Sequence, residues 1–299
     1  MKRIAWASLI VIVLLSIMSG IAAGQTPDSR AGVPARPGSV AAGKLIPDSP
    51  DHIVIVIEEN HSYKDIIGSP NAPFINELAK QGAVFSNSYG VRHPSEPNYL
   101  ALFSGSTQGV KDDSCRHSFN KPNLGAELIK SGHSFGGYSE DLPSVGSAVC
   151  SMKGYGRKHN PWSDFTNVPK SANMPLTKFP SDYRKLPTVS IVIPNMSHDM
   201  HDGTVKEADQ WLKNHMESYI KWAKQHNSLF ILTWDEDDFS KSNHIPTIFA
   251  GPMIKAGVDH EKINHLNVLR TIEDLYHLDH VGETGSSSPI TGVWNRPKA

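Results

Sequence analysis

His52-Ile53-Val54-Ile55-Val56-Ile57 places five β-branched aliphatic residues in an unbroken row and runs directly into Glu58-Glu59-Asn60. A row this short and this uniformly apolar reads as a strand buried on both faces of a parallel sheet. Its acids and amide then stand at the carboxyl end of a central strand, where open α/β sheets bind their ligands. Two more rows repeat the pattern. Residues 188–193 lead towards Asp199-Met200-His201-Asp202, and residues 228–234 end in Asp235-Glu236. A fourth strand, 245–250, is introduced by His244 and closed by Gly251-Pro252. Helical spacing fills the intervals. Phe74, Ile75, Leu78 and Ala79 share one face of a predicted helix over 71–81. A second helix spans 124–130 and stops at Gly132, and a long one spans 207–225, with Trp211, Leu212, His215, Tyr219 and Trp222 on one face. Leu266, Leu269, Ile272 and Leu275 mark a last helix. Strands alternating with helices predict an α/β fold with a mainly parallel sheet and helices on both faces.

The chain has 299 residues, 38% of them hydrophobic and 20% charged, enough for a sizeable core in one domain. A net charge of −1 gives no electrostatic footprint for nucleic acid or for an anionic membrane surface. Met1-Lys2-Arg3, the apolar stretch 4–18 and the small residues 19–24 read as a secretory signal peptide over 1–24. Residues 25–49, rich in Pro, Gly, Ala and Ser, read as a flexible leader, which leaves 50–299 as a single catalytic domain with no membrane anchor after cleavage. The expected location is secreted or periplasmic. There the two cysteines, Cys115 and Cys150, read as a disulfide, two buried free thiols being the alternative.

Arg92-His93-Pro94-Ser95-Glu96-Pro97-Asn98-Tyr99 sets one serine in a proline-flanked turn before the apolar segment 100–103. A helix is expected to start near Pro97, with Ser95 either capping it or standing where free N–H groups favour an anion. The strand-end groups Glu59-Asn60, Asp199 with His201, and Asp235-Glu236 converge with it on one rim. Such an oxygen-rich set suits a hard divalent cation, and its histidine also admits zinc, manganese or iron. Glu58, Glu96, Asp237 and Asp238 read as solvated or supporting carboxylates, and His215 as a core histidine. Gly132-His133-Ser134-Phe135-Gly136 matches the nucleophile elbow of esterases, but a helix precedes it and no long helix follows, so it reads as a helix stop before a strand.

Ile-Glu-Glu-Asn at 57–60, His-Pro-Ser-Glu-Pro-Asn-Tyr at 93–99, Asp-Met-His-Asp at 199–202, Thr-Trp-Asp-Glu at 233–236 and Pro-Thr-Ile-Phe-Ala-Gly-Pro at 246–252 occur in that order. Together with Leu-Arg-Thr-Ile-Glu-Asp-Leu-Tyr at 269–276 they resemble the phosphoesterase family of bacterial acid phosphatases and phospholipases C, in the alkaline phosphatase superfamily. The resemblance implies a doubly wound α/β/α sandwich and a phosphoserine formed on Ser95. It implies one divalent metal held by Glu59, Asn60, Asp235, Glu236 and the Ser95 oxygen. Glu236 departs from the aspartate often found at that position, which leaves the metal's identity open. His201 and His244 match catalytic histidines, while Lys158, His159, Asn60 and Asp199 match the substrate side. The expected function is therefore an exported metal-dependent acid phosphatase acting on small phosphomonoesters. The alternatives are a phospholipase C acting on phosphodiester headgroups and a non-catalytic binder of phosphate or metal.

Overall fold

The computed structural model describes residues 47, 49–240 and 242–295. The predicted signal peptide and all of the leader but Pro47 and Ser49 lie outside the described residues. Eight strands form the central sheet: β1 His52–Glu58, β2 Ala83–Phe85, β3 Phe135–Ser139, β4 Asn173–Pro175, β5 Val189–Ile193, β6 Ser228–Trp234, β7 Thr247–Ala250 and β8 Gly257–Asp259. Their spatial order is β8-β2-β7-β6-β1-β5-β3-β4. The β-branched row therefore lies inside the sheet, paired in parallel with β5 and β6. β7 is the exception, running antiparallel to both β6 and β2.

Alternate residues of β1 feed two cores. Ile53, Ile55 and Ile57 face one side, packed with α2 (Ser95–Ser104), α3 (Leu124–Lys130) and α5 (His265–Leu275). Val54 and Val56 face the other, packed with α1 (Pro73–Gln81) and α4 (Val205–Ala223). This is the α/β/α sandwich implied by the resemblance. Among the described residues no helix is long and apolar enough to cross a membrane.

Several sequence signals act as expected. Thr204 and Glu207 form a capping box at the start of α4, satisfying N–H groups that the first turn leaves free. Gly132 takes a left-handed φ of 81° after α3, and Ser134 enters β3 bonded to Thr188, so the esterase-like motif is indeed a helix stop before a strand. Cys115 and Cys150 are joined as a disulfide. One expectation needs correction. His215 is exposed, stacked on Trp211 at 4.4 Å with Nδ1 at 2.9 Å from the Trp211 carbonyl, because the buried face of α4 centres on Leu212 and Met216. Glu58, Glu96 and Asp237 are buried, which leaves the supporting rather than the solvated alternative for them.

Candidate active site

β1 and β6 pair in register up to Glu58 and Trp234, so the next residues, Glu59 and Asp235, emerge side by side at the carboxyl rim. The backbone locks them there. Glu59 N–H donates to the Asp199 carbonyl at 2.7 Å, and Asp235 N–H donates to the Glu58 carbonyl at 3.0 Å. Asn60, with φ 55°, turns its N–H towards Asp235 Oδ1 at 3.3 Å. The three strand ends read from the sequence do meet.

Ser95 is the first residue of α2, one position further into the helix than a cap, and Pro94 holds the cap position without a side-chain bond. Its hydroxyl faces two carboxylates, Glu59 Oε2 at 3.0 Å and Glu236 Oε1 at 3.4 Å. The same helix supplies two neighbours that sequence reasoning missed. Asn98 Nδ2 donates to Glu236 Oε2 at 3.2 Å, and Tyr99 OH donates to Glu59 Oε1 at 2.8 Å. Positions three and four beyond Ser95 share its helix face, which is the signal that could have found them. His93 was also missed, and its Nδ1 lies 2.9 Å from Glu236 Oε2.

His159 sits at the centre, 1% exposed, with Nε2 at 2.8 Å from Glu59 Oε1 and Nδ1 at 3.1 Å from Asp199 Oδ2. The ring of Tyr99 stacks on it at 4.9 Å. Burial alone would discharge His159, but Glu59 and Asp199 outweigh it and raise its pKa to about 9. Burial likewise works against the Glu59 carboxylate, yet His159, Lys158 and Tyr99 bring it down to about 2. A buried ion pair results. Burial, then the charges of Glu59 and Glu236, push Asp235 well above the carboxylate range. Glu236 rises to about 8 through burial and the charges of Glu59 and Asp113.

Beside these acids stands a basic pair. Lys158 Nζ lies 2.9 Å from His201 Nε2 and 3.1 Å from Asp113 Oδ2. Asp113, also missed, accepts the Glu96 N–H at 3.0 Å and so ties the lysine to the start of α2. His201 Nδ1 faces Asp202 Oδ1 at 2.7 Å, and its N–H donates to Asp199 Oδ1. His244 is not brought into this network. Its Nε2 meets the Ser86 carbonyl at 2.9 Å, and its ring lies against Tyr63 and Tyr89.

The donor chemistry fits a hard cation. Asp235 Oδ2 and Asn60 Oδ1 are buried without a hydrogen-bond partner, and three neighbouring carboxylates cannot all ionise in a buried site without a compensating positive charge. Among the described residues, no three acidic, histidine or cysteine groups stand close enough together to hold a metal ion by themselves. Of the candidate ligands, Glu59 and Glu236 face Ser95 Oγ, while Asn60 and Asp235 meet each other.

Ser95, the acids and the basic pair share one rim of the sheet. A profile described as "Phosphoesterase family" matches residues 69–279. The chain belongs to that family. It is 50% identical over 246 residues to a phosphatidylinositol-3-phosphatase of Mycobacterium tuberculosis, covering 81% of this chain and 82% of that one. It is 29% identical over 256 residues to an acid phosphatase of Aspergillus fumigatus, covering 79% of this chain but only 57% of that longer relative. A solved protein of the alkaline phosphatase superfamily from Vibrio parahaemolyticus shares the fold, with a TM-score of 0.57 at 14% identity over 82% of this chain and 72% of that one.

Proposed function

We propose that the protein is an exported, metal-dependent phosphomonoesterase working through a phosphoserine on Ser95. The observation that carries this is the Ser95 hydroxyl, buried at the start of α2 and hydrogen-bonded towards both Glu59 and Glu236. Ser95 Oγ attacks phosphorus while its proton leaves along one of those bonds. The P–O bond to the leaving group breaks, and the Lys158–His201 pair supplies the proton that the departing oxygen takes up. Water then attacks the phosphoserine, releasing inorganic phosphate and restoring the hydroxyl. Phosphoryl oxygens are held by Lys158 and by the Ser95 N–H at the start of α2. His159 keeps Glu59 ionised and oriented throughout. Glu59, Asn60, Asp235, Glu236 and Ser95 would hold a divalent cation. When bound, it would offset phosphoryl charge and favour the ionised serine.

A monoester substrate is favoured over the diester of a phospholipase C, since the 50%-identical relative is named a phosphatidylinositol-3-phosphatase. Export is supported by the signal-peptide pattern and by the Cys115–Cys150 disulfide. The test is hydrolysis of p-nitrophenyl phosphate with and without chelator, beside Ser95→Ala. Turnover that is lost in the variant, and that in wild type is lost on chelation and restored by metal, supports the reading. An active variant rejects it.

A further inference from the structure

After β6, Asp237 and Asn243 clasp one another. Asp237 accepts the N–H of Phe239 and of Asn243, each at 2.9 Å, and Asn243 Oδ1 accepts the Asp237 N–H at 2.8 Å. Asn243 also reaches the serine loop, donating from Nδ2 to the Arg92 carbonyl at 2.7 Å. Gly90 permits this approach, for a Cβ there would lie 2.7 Å from the Asp235 carbonyl oxygen. Phe239, Ser242 and Asn243 all hold left-handed φ angles between 61° and 63°. That conformation is disfavoured for an aromatic residue, and it persists only where surrounding bonds enforce it.

The loop presents an aromatic ring. Phe239 is 70% exposed, the most exposed of the large apolar side chains among the described residues. Its ring stacks on His93 at 4.0 Å and 23°. His93 is fixed in turn, with Nδ1 at 2.9 Å from Glu236 Oε2 and Nε2 at 3.3 Å from Asp237 Oδ1. Glu236 reaches Ser95. A rigid aromatic surface therefore stands two side chains from the nucleophile, with much of its surface open to solvent. Packing within the chain does not account for that exposure, because the ring covers little besides His93.

We propose that Phe239 is a specificity-determining residue, packing against a flat, apolar leaving group of the phosphoester. This rests on the phosphomonoesterase reading. The chemistry of the mouth supports it. An exposed aromatic face gains from contact with another ring. The phosphoryl group keeps to Lys158 and the α2 start, and the ring receives what departs.

The experiment compares kcat/KM of wild type, Phe239→Ala and Phe239→Trp on 1-naphthyl phosphate and on glycerol 2-phosphate, with melting temperatures as the folding control. The alanine variant is expected to lose about fivefold on the naphthyl ester, mainly through KM, the size of an aromatic pair contribution. It should stay within about twofold on the glycerol ester, and tryptophan should restore the naphthyl rate. Equal losses on both substrates would mean that Phe239 only steadies His93, and unchanged rates would mean that it touches nothing; either overturns the proposal. Selectivity left unaltered while wild type turns over both esters rejects this inference alone. Wild type inactive on both would reject the phosphatase reading and this inference with it.

Discussion

Replacing His159 by glutamine probes the electrostatic centre of the site. The side chain is buried between Glu59 at 2.8 Å and Asp199 at 3.1 Å, so solvent does not screen it. The rise of His159 from 6.5 to about 9 and the fall of Glu59 from 4.5 to about 2 are two views of one interaction, about 3 kcal/mol counted once. The sign follows from linkage. His159, raised in the fold, contributes fully below its unfolded value of 6.5 and loses that contribution as pH rises through about 9. Glu59, depressed in the fold, contributes fully above 4.5 and loses that contribution as pH falls through about 2. The pair is therefore at full strength between 4.5 and 6.5. Urea unfolding at pH 6 should show His159→Gln destabilised by about 3 kcal/mol, and the gap should close almost entirely at pH 10. A gap of the same size at both pH values would refute the charge argument and leave only a packing defect. Stability unchanged at pH 6 would refute the pair altogether.

Two further outcomes are expected. A Cβ on Gly137 would lie 2.1 Å from the Trp162 ring, so Gly137→Ala should lower stability by about 3 kcal/mol, read from denaturant midpoints, whereas the same change at open Gly285 should be nearly silent. Burial pushes His265 down to about 4 while its Nε2 meets the Trp234 carbonyl, so the fold loses about 3 kcal/mol as pH falls from 6.5 towards 4; His265→Gln, which can still donate to that carbonyl, should flatten this limb, and parallel curves would contradict it.

The sheet was legible because its inner strands have no polar face. Val54 and Val56 serve one core and Ile53, Ile55 and Ile57 the other, so a buried parallel position is the one environment that suits the row. Strand direction was not legible. The row leading into Gly251-Pro252 reads the same either way, and only the route from Asp235 back to Thr247 sets β7 antiparallel. In the site, strand ends announced Glu59, Asp199 and Asp235, since register carries them to one rim. The helix start at Ser95 rather than Pro97 was hidden, because proline is tolerated throughout a first turn. His93 and Asp113 act through contacts between distant loops, which no local spacing encodes. Asn98 and Tyr99 were within reach of helical arithmetic. His215 marks the limit of that arithmetic: Trp211, Leu212 and Tyr219 of the expected face are buried, but His215 lies at its edge and is exposed.

The most direct test of the account is the covalent intermediate itself. Wild-type protein mixed with p-nitrophenyl phosphate, quenched in acid during turnover and digested, should carry one phosphoryl group on the peptide containing Ser95. That label should be absent from Ser95→Ala, which should also lack turnover. Sustained turnover in wild type with no phosphoserine in the quenched protein, or a Ser95→Ala variant that still hydrolyses the ester, would contradict it.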